Sequence, residues 1–277
     1  MKQTLTLLIL VVLAACTTIE IEERSIFDAH QTITPETFDY NGLNLHQHTL
    51  ETEDGEQLDS WYIEREDAVA TVLYLGGNGF LMVKSRPWLD IYAGLPVNIV
   101  MIDSRGYGQS SGAPSVEGVK YDAKEAYNFA AKHSEETGTK LLIHGHSMGS
   151  LLAGYMADTH EAAGYILESP ITNADDLTSN ILPRLLRPFI GFEFPEVVKE
   201  EDNLKRVAGI EIPLLLIGGE DDEVTPFSMA EKLYEKSVSS PKKLVKVNGG
   251  GHNDLPNKQD YRDALEAFLG DVANLSH

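Results

Sequence analysis

The sequence has little cysteine, little positive charge and no long apolar run. Cys16 is the only cysteine among 277 residues, so the fold cannot rely on an internal disulfide and must be held by its core. The 22 Lys and Arg residues are outnumbered by 43 Asp and Glu residues. The resulting net charge of −21 argues against nucleic acid as a partner, because like charges repel. With 42% hydrophobic and 23% charged residues, the composition is that of a folded chain, and its length suits one α/β domain.

The amino terminus has the pattern of an export signal. Lys2 supplies a positive start, and the apolar run from Leu5 to Leu13 is shorter than the roughly 20 residues that span a bilayer. The run ends in Leu13-Ala14-Ala15-Cys16, which resembles the lipobox of bacterial lipoproteins, where the chain is cut before the cysteine and the cysteine sulfur carries a diacylglycerol. An ordinary secretory signal that happens to end near a cysteine is the alternative.

The lipobox resemblance implies that residues 1–15 are a signal peptide and that Cys16 is the lipidation site. Two or more acyl chains give a stable membrane anchor, whereas a single chain binds only marginally. Thr17 stands where inner-membrane lipoproteins commonly carry aspartate, which favours the outer membrane of the cell envelope, facing the periplasm. Residues 16–40 have no clear periodicity and are expected to form the lipidated tether.

Residues 41–277 have the pattern of one α/β domain. Two alternating segments, 43–51 and 57–64, flank Asp54-Gly55 and indicate a β-hairpin. Short apolar runs then alternate with helical stretches, which is typical of parallel strands covered on both faces. Strands are predicted at 70–75, 97–103, 140–144, 165–168, 212–217 and 243–247, and helices near 81–93, 115–136, 148–160, 226–238 and 259–270.

The segment Gly145-His146-Ser147-Met148-Gly149 lies between a predicted strand and a predicted helix. A strand-to-helix turn this sharp strains the backbone at the serine, and glycine two residues before and after it lets the strand and the helix pass. The strain holds the hydroxyl above the sheet, where a base and a carbonyl group can reach it. Ser147 is therefore the candidate nucleophile.

A nucleophilic serine needs a base and an acid that orients the base, and both are expected after later strands. His252 follows the last predicted strand and a run of three glycines, which can bring its imidazole over the sheet. The acid lies among the four carboxylates at 220–223, which cannot all be buried. Asp222 is the favoured choice and Asp221 the alternative. The order Ser147, Asp222, His252 is that of the α/β hydrolases.

Two backbone amides are expected to stabilise the negative charge that develops on the carbonyl oxygen during acyl transfer. The first is that of Met148, which begins the helix after the turn. The second is that of Asn78 in the loop Gly76-Gly77-Asn78-Gly79, with Gly79 as the alternative. A dinucleotide site is a weak interpretation of this loop, because the third glycine of the fingerprint is missing and no Gly-Lys-Ser/Thr follows. We expect no metal and no organic cofactor.

Together these motifs resemble the serine α/β-hydrolases over roughly residues 45–270, and above all their small, lightly capped branch of serine aminopeptidase-like proteins. Asp103 to Ser110 matches that branch's Asp-x-Arg-Gly-x-Gly-x-Ser, whose Asp and Arg are expected to hold loops rather than to react. The resemblance implies an α/β-hydrolase fold, with a mostly parallel central sheet, helices on both faces and a short cap insertion at about residues 171–208. Many relatives have His-Gly-Asn where this chain has Gly76-Gly77-Asn78, a change that keeps the backbone donor.

The cap contains a strongly apolar stretch, 181–192, that includes Arg184 and Arg187. In one interpretation the stretch covers an acyl chain, and Arg184 or Arg187 meets a carboxylate or phosphate of the substrate. In the other it is a lid that packs on the core with both arginines in water.

The predicted function is a serine hydrolase that cleaves a small carboxylic ester or thioester through an acyl-enzyme and is held at the membrane by its lipid anchor. One alternative is an aminopeptidase or amidase on the same three residues, which would need an acidic group for a free amino terminus. The other is a binding lipoprotein that keeps the fold without turnover.

Overall fold

The computed structural model describes residues 17–29, 42–182 and 185–274, so the predicted signal peptide, Cys16 and Arg184 lie outside the described residues. The strands are β1 (Thr17–Glu20), β2 (Asn44–Glu51), β3 (Gln57–Glu64), β4 (Ala70–Leu75), β5 (Val97–Ile102), β6 (Lys140–His146), β7 (Gly164–Glu168), β8 (Ile190–Glu193), β9 (Leu214–Gly219) and β10 (Lys242–Val247). The helices are α1 (Arg86–Tyr92), α2 (Val116–Thr137), α3 (Met148–Thr159), α4 (Ala174–Ile181), α5 (Glu196–Lys199), α6 (Asn203–Arg206), α7 (Phe227–Lys236) and α8 (Gln259–Asn274). Short 3-10 helices lie at Glu23–Ile26, Met82–Lys84, Val207–Gly209 and Leu255–Asn257.

The central sheet has eight strands in the order β10-β9-β7-β6-β4-β5-β3-β2. β2 and β3 form the predicted hairpin, β3 pairs antiparallel with β5, and the remaining neighbours are parallel. The six predicted later strands are β4 to β7, β9 and β10, with ends shifted by two residues or fewer. The carboxyl ends of β6, β7 and β9 therefore meet at one edge of the sheet, which is where parallel α/β sheets place ligands.

Helices cover both faces of the sheet and bury an apolar core on each. On one face, α1 and α8 contribute large buried side chains such as Trp88 and Tyr261. On the other face lie α2, α3 and α7. Helix α2 presents Ala123, Ala126 and Ala130 to the sheet, and these small side chains at helical spacing let it lie close. No described helix combines the length and apolar character that a bilayer crossing requires.

The Asp-x-Arg-Gly-x-Gly-x-Ser segment holds loops together, as the sequence predicts. Asp103 Oδ1 accepts a hydrogen bond from the Met82 amide at 2.7 Å, which fixes the chain that leads into α1. The Arg105 guanidinium makes a bidentate pair with Asp54 at 2.6 and 2.9 Å, and its Nε donates to Asp122 at 2.8 Å. Arg105 thereby ties the β2–β3 hairpin to α2.

Asp103 is expected to make folding stability depend on pH. Burial raises the pKa of Asp103 to about 7, and the nearby Asp59 adds to the effect. The folded state therefore holds the proton of the Asp103 carboxyl more tightly than the unfolded chain does. The stabilisation of the fold by this proton is complete below about pH 4 and is lost as the pH rises to 7. Between pH 4 and 8, the free energy of unfolding of Asp103→Asn should fall by about 1–3 kcal/mol less than that of the wild type. Urea unfolding of both proteins at the two pH values measures the difference, and parallel pH curves would contradict it.

Residues 17–29, which we call the N-terminal strap, differ from the prediction of an irregular tether. Strand β1 pairs in parallel with β8 of the cap, from Thr17 opposite Ile190 to Glu20 opposite Glu193, in a separate two-stranded sheet. The apolar side chains of the strap then pack against the cap and the start of α2, in a cluster that includes Ile21, Ile26, Phe27, Val116, Phe194 and Val198. The strap lacks a clear period because its partners are a distant strand and scattered apolar residues.

Candidate active site

Ser147 occupies a strained turn between β6 and α3. Its φ of 53° and ψ of −117° lie in a backbone region that residues other than glycine rarely adopt. A Cβ atom at Gly145 would overlap the carbonyl oxygen of Gly149, and one at Gly149 would overlap the carbonyl oxygen of Leu75. Both glycines are therefore required by close backbone contacts, which is the physical basis of the sequence motif.

Three predicted side chains converge at this turn. Nε2 of His252 lies 2.9 Å from Oγ of Ser147, and Nδ1 of His252 lies 2.9 and 3.1 Å from the two carboxylate oxygens of Asp222. The amide of Asp221 donates to the Gly250 carbonyl at 2.8 Å and so ties the acid loop to the base loop. Between the two sequence candidates for the acid, Asp222 is buried and faces the imidazole, while Asp221 is exposed.

The surroundings of Asp222 favour its ionised form. Its Oδ1 accepts the amides of Val224 at 2.9 Å and Thr225 at 2.8 Å, and the Thr225 hydroxyl lies 2.9 Å from Oδ2. Burial raises the pKa of Asp222, but the hydrogen bonds and charge of His252, with those from Thr225, outweigh burial and lower the pKa. An Asp222 anion accepts the Nδ1–H of His252 and leaves Nε2 as the acceptor facing Ser147.

The predicted oxyanion loop lies beside the serine. A Cβ atom at Gly77 would stand 3.1 Å from Cβ of Ser147, a tight contact that glycine avoids where this backbone passes the serine. Asn78 and Met148 line the same cavity as Ser147. The Met148 amide is the first of α3, a position without an intrahelical acceptor. The phenyl ring of Phe80 occupies the space that a side chain at Gly76 would need.

A cavity of about 250 Å³ opens at Ser147 between the cap, α2 and the strap. Most of its walls are apolar, and they come from these three elements and from α3. The lining includes Phe27, Val119, Leu152, Ile171, Leu177 and Val198.

Two charged residues, Lys120 and Glu201, also line this cavity, and they form an ion pair. The carboxylate of Glu201 lies 2.8 Å from Nζ of Lys120 and accepts a hydrogen bond from Nη1 of Arg206 at 2.7 Å. Since two cations already hold Glu201, it does not offer a free acidic group to a substrate amine.

Of the two cap arginines, the structure describes only Arg187, which lies away from the cavity at Ser147. Arg187 is exposed, its Nε donates to the Leu182 carbonyl at 3.1 Å, and it lines a different cavity, between α4 and β8. Arg184 lies outside the described residues. Among the residues that the structure describes, no group of three or more His, Cys, Asp or Glu side chains is placed to hold a metal ion.

Two residues beneath the turn were not predicted to take part in the site. Nε2 of His146 lies 3.0 Å from the His252 carbonyl oxygen, and burial lowers the pKa of His146. A neutral His146 with its proton on Nε2 donates to that carbonyl and holds the base loop. Glu168, at the end of β7, accepts hydrogen bonds from Trp88 at 3.1 Å and Tyr261 at 2.9 Å, and its carbonyl accepts the Ser147 amide at 2.9 Å. In the sequence, the sign of Glu168 is an acidic residue that directly follows the apolar run of β7, in Leu167-Glu168-Ser169-Pro170.

Comparison with known proteins gives relatives over most of the chain. Residues 93–198 match the family described as serine aminopeptidase, S33, and residues 193–272 match the TAP-like protein family. The uncharacterized protein Rv2307c of Mycobacterium tuberculosis is 30% identical over 82% of this chain and 79% of its own length. The uncharacterized membrane protein YNL320W of Saccharomyces cerevisiae is also 30% identical, over 84% of this chain and 82% of its own length.

Among solved structures, an esterase of Pyrococcus furiosus has the same fold with a TM-score of 0.71 and 20% sequence identity. The match covers 91% of this chain and 99% of the esterase chain. The two family matches and the shared fold show that the chain belongs to the α/β-hydrolase superfamily.

Proposed function

We propose that this chain is a serine hydrolase that cleaves carboxylic esters or thioesters through an acyl-enzyme. The proposal rests on one observation. Oγ of Ser147, raised on a strained turn, lies 2.9 Å from Nε2 of His252, whose Nδ1 lies 2.9 Å from a carboxylate oxygen of Asp222. These distances are within hydrogen-bond reach, as proton transfer from a hydroxyl to a base requires.

The reaction would proceed in two halves. As Ser147 attacks the carbonyl carbon, Nε2 of His252 takes the hydroxyl proton, and Asp222 stabilises the resulting imidazolium. The amides of Met148 and Asn78 would receive the charge on the carbonyl oxygen. His252 then returns the proton to the departing alcohol or thiol. In the second half, water attacks the acyl-Ser147 ester by the same route and releases the acid.

The cavity favours an ester with an apolar acyl group over a peptide with a free amino terminus. An aminopeptidase would need an unpaired carboxylate near Ser147, whereas Glu201 in the cavity is held by Lys120 and Arg206. The Pyrococcus furiosus protein with the same fold is named an esterase, which also supports an ester substrate. Envelope anchoring through a lipid on Cys16 is the second part of this proposal and is supported by the lipobox resemblance.

Labelling with a fluorophosphonate tests the nucleophile. The wild type should form a stable covalent adduct at Ser147, located by mass spectrometry of the tryptic peptides, because the reagent captures activated serines. Ser147→Ala should take up no label. Ser179→Ala, which removes an exposed cap hydroxyl, should be labelled like the wild type.

A folded wild type that stays unlabelled would favour the binding lipoprotein over an enzyme. Substrate class is tested separately, with p-nitrophenyl esters beside aminoacyl anilides. We expect turnover of the esters. Turnover of the anilides alone would overturn the ester assignment and favour the aminopeptidase.

A further inference from the structure

We propose that the N-terminal strap completes the substrate site in two ways. It holds the oxyanion loop in place through Asn78, and it forms one wall of a cavity that binds a linear acyl chain of about eight carbons. This inference rests on the proposed function and adds to it the class of acyl group and the role of residues 17–29. It has two independent parts, one concerning the loop and one concerning the cavity wall.

The strap holds the oxyanion loop through the Asn78 side chain. Nδ2 of Asn78 donates to the Ile26 carbonyl at 2.9 Å, and Oδ1 of Asn78 accepts the Asp28 amide at 2.7 Å. The hydroxyl of Tyr107 also donates to Oδ1, at 2.9 Å. Because glycines surround Asn78, the loop would otherwise have many accessible conformations. The paired bonds to the strap select one of them, in which Asn78 lies at the cavity beside Ser147.

The strap is itself fixed at its beginning and in its middle. The β1–β8 ladder attaches its beginning to the cap. Farther along, a carboxylate oxygen of Glu23 accepts the Val116 amide at 2.6 Å, at the start of α2. A negative group at a helix amino terminus is favourable, so this contact holds the strap against α2. The oxyanion loop is thus connected through the strap to both the cap and α2.

Ile26 and Phe27 of the strap form part of the cavity wall, facing residues of α2 and the cap. The cavity volume is about 250 Å³. A methylene group takes up roughly the volume of a water molecule in the liquid, ~30 Å³, so the space holds a chain of about eight carbons. Each buried methylene should raise kcat/KM about three- to fourfold until the cavity is full.

A panel of p-nitrophenyl esters from two to sixteen carbons tests the wall. The wild-type kcat/KM should rise with chain length and reach its maximum near eight carbons. Phe27→Ala should move the maximum to longer chains by about two or three carbons, because it removes a ring from the wall. Ile26→Phe should move the maximum to shorter chains. Val238→Ala, a matched aliphatic truncation at an exposed and remote position, should leave the profile unchanged. If Phe27→Ala and Ile26→Phe both keep the wild-type profile, the strap does not form the wall.

A double-mutant cycle tests the loop. Asn78→Ala keeps the backbone amide but loses the bonds to the strap, so kcat for the acetyl ester should fall about 10- to 100-fold with KM little changed. Glu23→Ala, which releases the strap from α2, should lower kcat about three- to tenfold. The double variant should lose little more than Asn78→Ala alone, because both changes act through one connection. Fully multiplicative losses, or an unchanged kcat in Asn78→Ala, would overturn this part.

These outcomes are separable from failure of the proposed function. If the wild type is labelled at Ser147 and turns over the acetyl ester, the hydrolase proposal stands whatever the strap variants do. If the wild type does neither, the hydrolase proposal fails before the strap is tested.

Discussion

Replacing Asp222 by asparagine is expected to lower kcat by about 10³- to 10⁴-fold while leaving KM little changed. The amide matches the carboxylate in shape and can still accept the backbone bonds from Val224 and Thr225. It cannot, however, stabilise the imidazolium that forms when His252 takes the proton of Ser147. An amide NH₂ turned toward Nδ1 would also move the ring proton to Nε2, the wrong tautomer for a base. Steady-state kinetics on a short p-nitrophenyl ester measure the loss.

Asp221→Asn is the matched control for this experiment. The same chemical change is made one residue earlier, on an exposed side chain, and it keeps the Asp221 backbone amide that donates to the base loop. We expect kcat to stay within about twofold of the wild type, as for most exposed substitutions. A loss in Asp221→Asn as large as that in Asp222→Asn would show that acid-loop conformation, rather than the Asp222 charge, limits the reaction.

Gly149→Ala is expected to destabilise the fold by about 3 kcal/mol or more. The added methyl group would overlap the Leu75 carbonyl oxygen and lie 2.7 Å from that of Gly76. Both atoms belong to the backbone and cannot move aside as a flexible side chain would. Strand β4 and helix α3 would have to separate. The free energy of unfolding from urea titrations gives the size of the effect.

Gly270→Ala makes the same chemical change as Gly149→Ala but is expected to stabilise the fold rather than destabilise it. Gly270 lies within α8, and a Cβ atom there would meet nothing within 4 Å. Alanine is the better helix former, so this variant should be more stable than the wild type by up to about 1 kcal/mol. Gly149 also lies in a helix, so the two variants compare the same added methyl group with and without a steric overlap. Equal stabilities for the two would contradict the close contact of β4 and α3.

The sheet and the convergence at Ser147 could be predicted because local patterns carry them. Short apolar runs mark buried strands, and the glycines at 145 and 149 mark a tight turn. The choice of Asp222 over Asp221 needed the structure, since adjacent carboxylates in one loop have the same local pattern. The imidazole position decides between them.

Contacts between distant segments could not be predicted in the same way. The strap pairs with β8, which is far along the chain, and the pattern of a four-residue strand is too short to predict its partner strand. The hydrogen bond of His146 to the His252 carbonyl likewise depends on how two loops meet. For Arg187 the sequence predicted a contact that the structure does not show. Its apolar neighbours in the sequence favoured a place at the substrate, but its side chain lines a different cavity from that at Ser147.

The position of Thr17 bears on the lipid anchor proposed above for Cys16. Its amide donates to the Phe189 carbonyl at 2.8 Å, and the turn that leads to Phe189 exposes Leu185 and Leu186. One residue of chain extends only ~3.5 Å. If Cys16 carries the lipid proposed above, there is no slack between bilayer and cap, and the two leucines stand at the headgroups. Bulky affinity tags then belong at the carboxyl end.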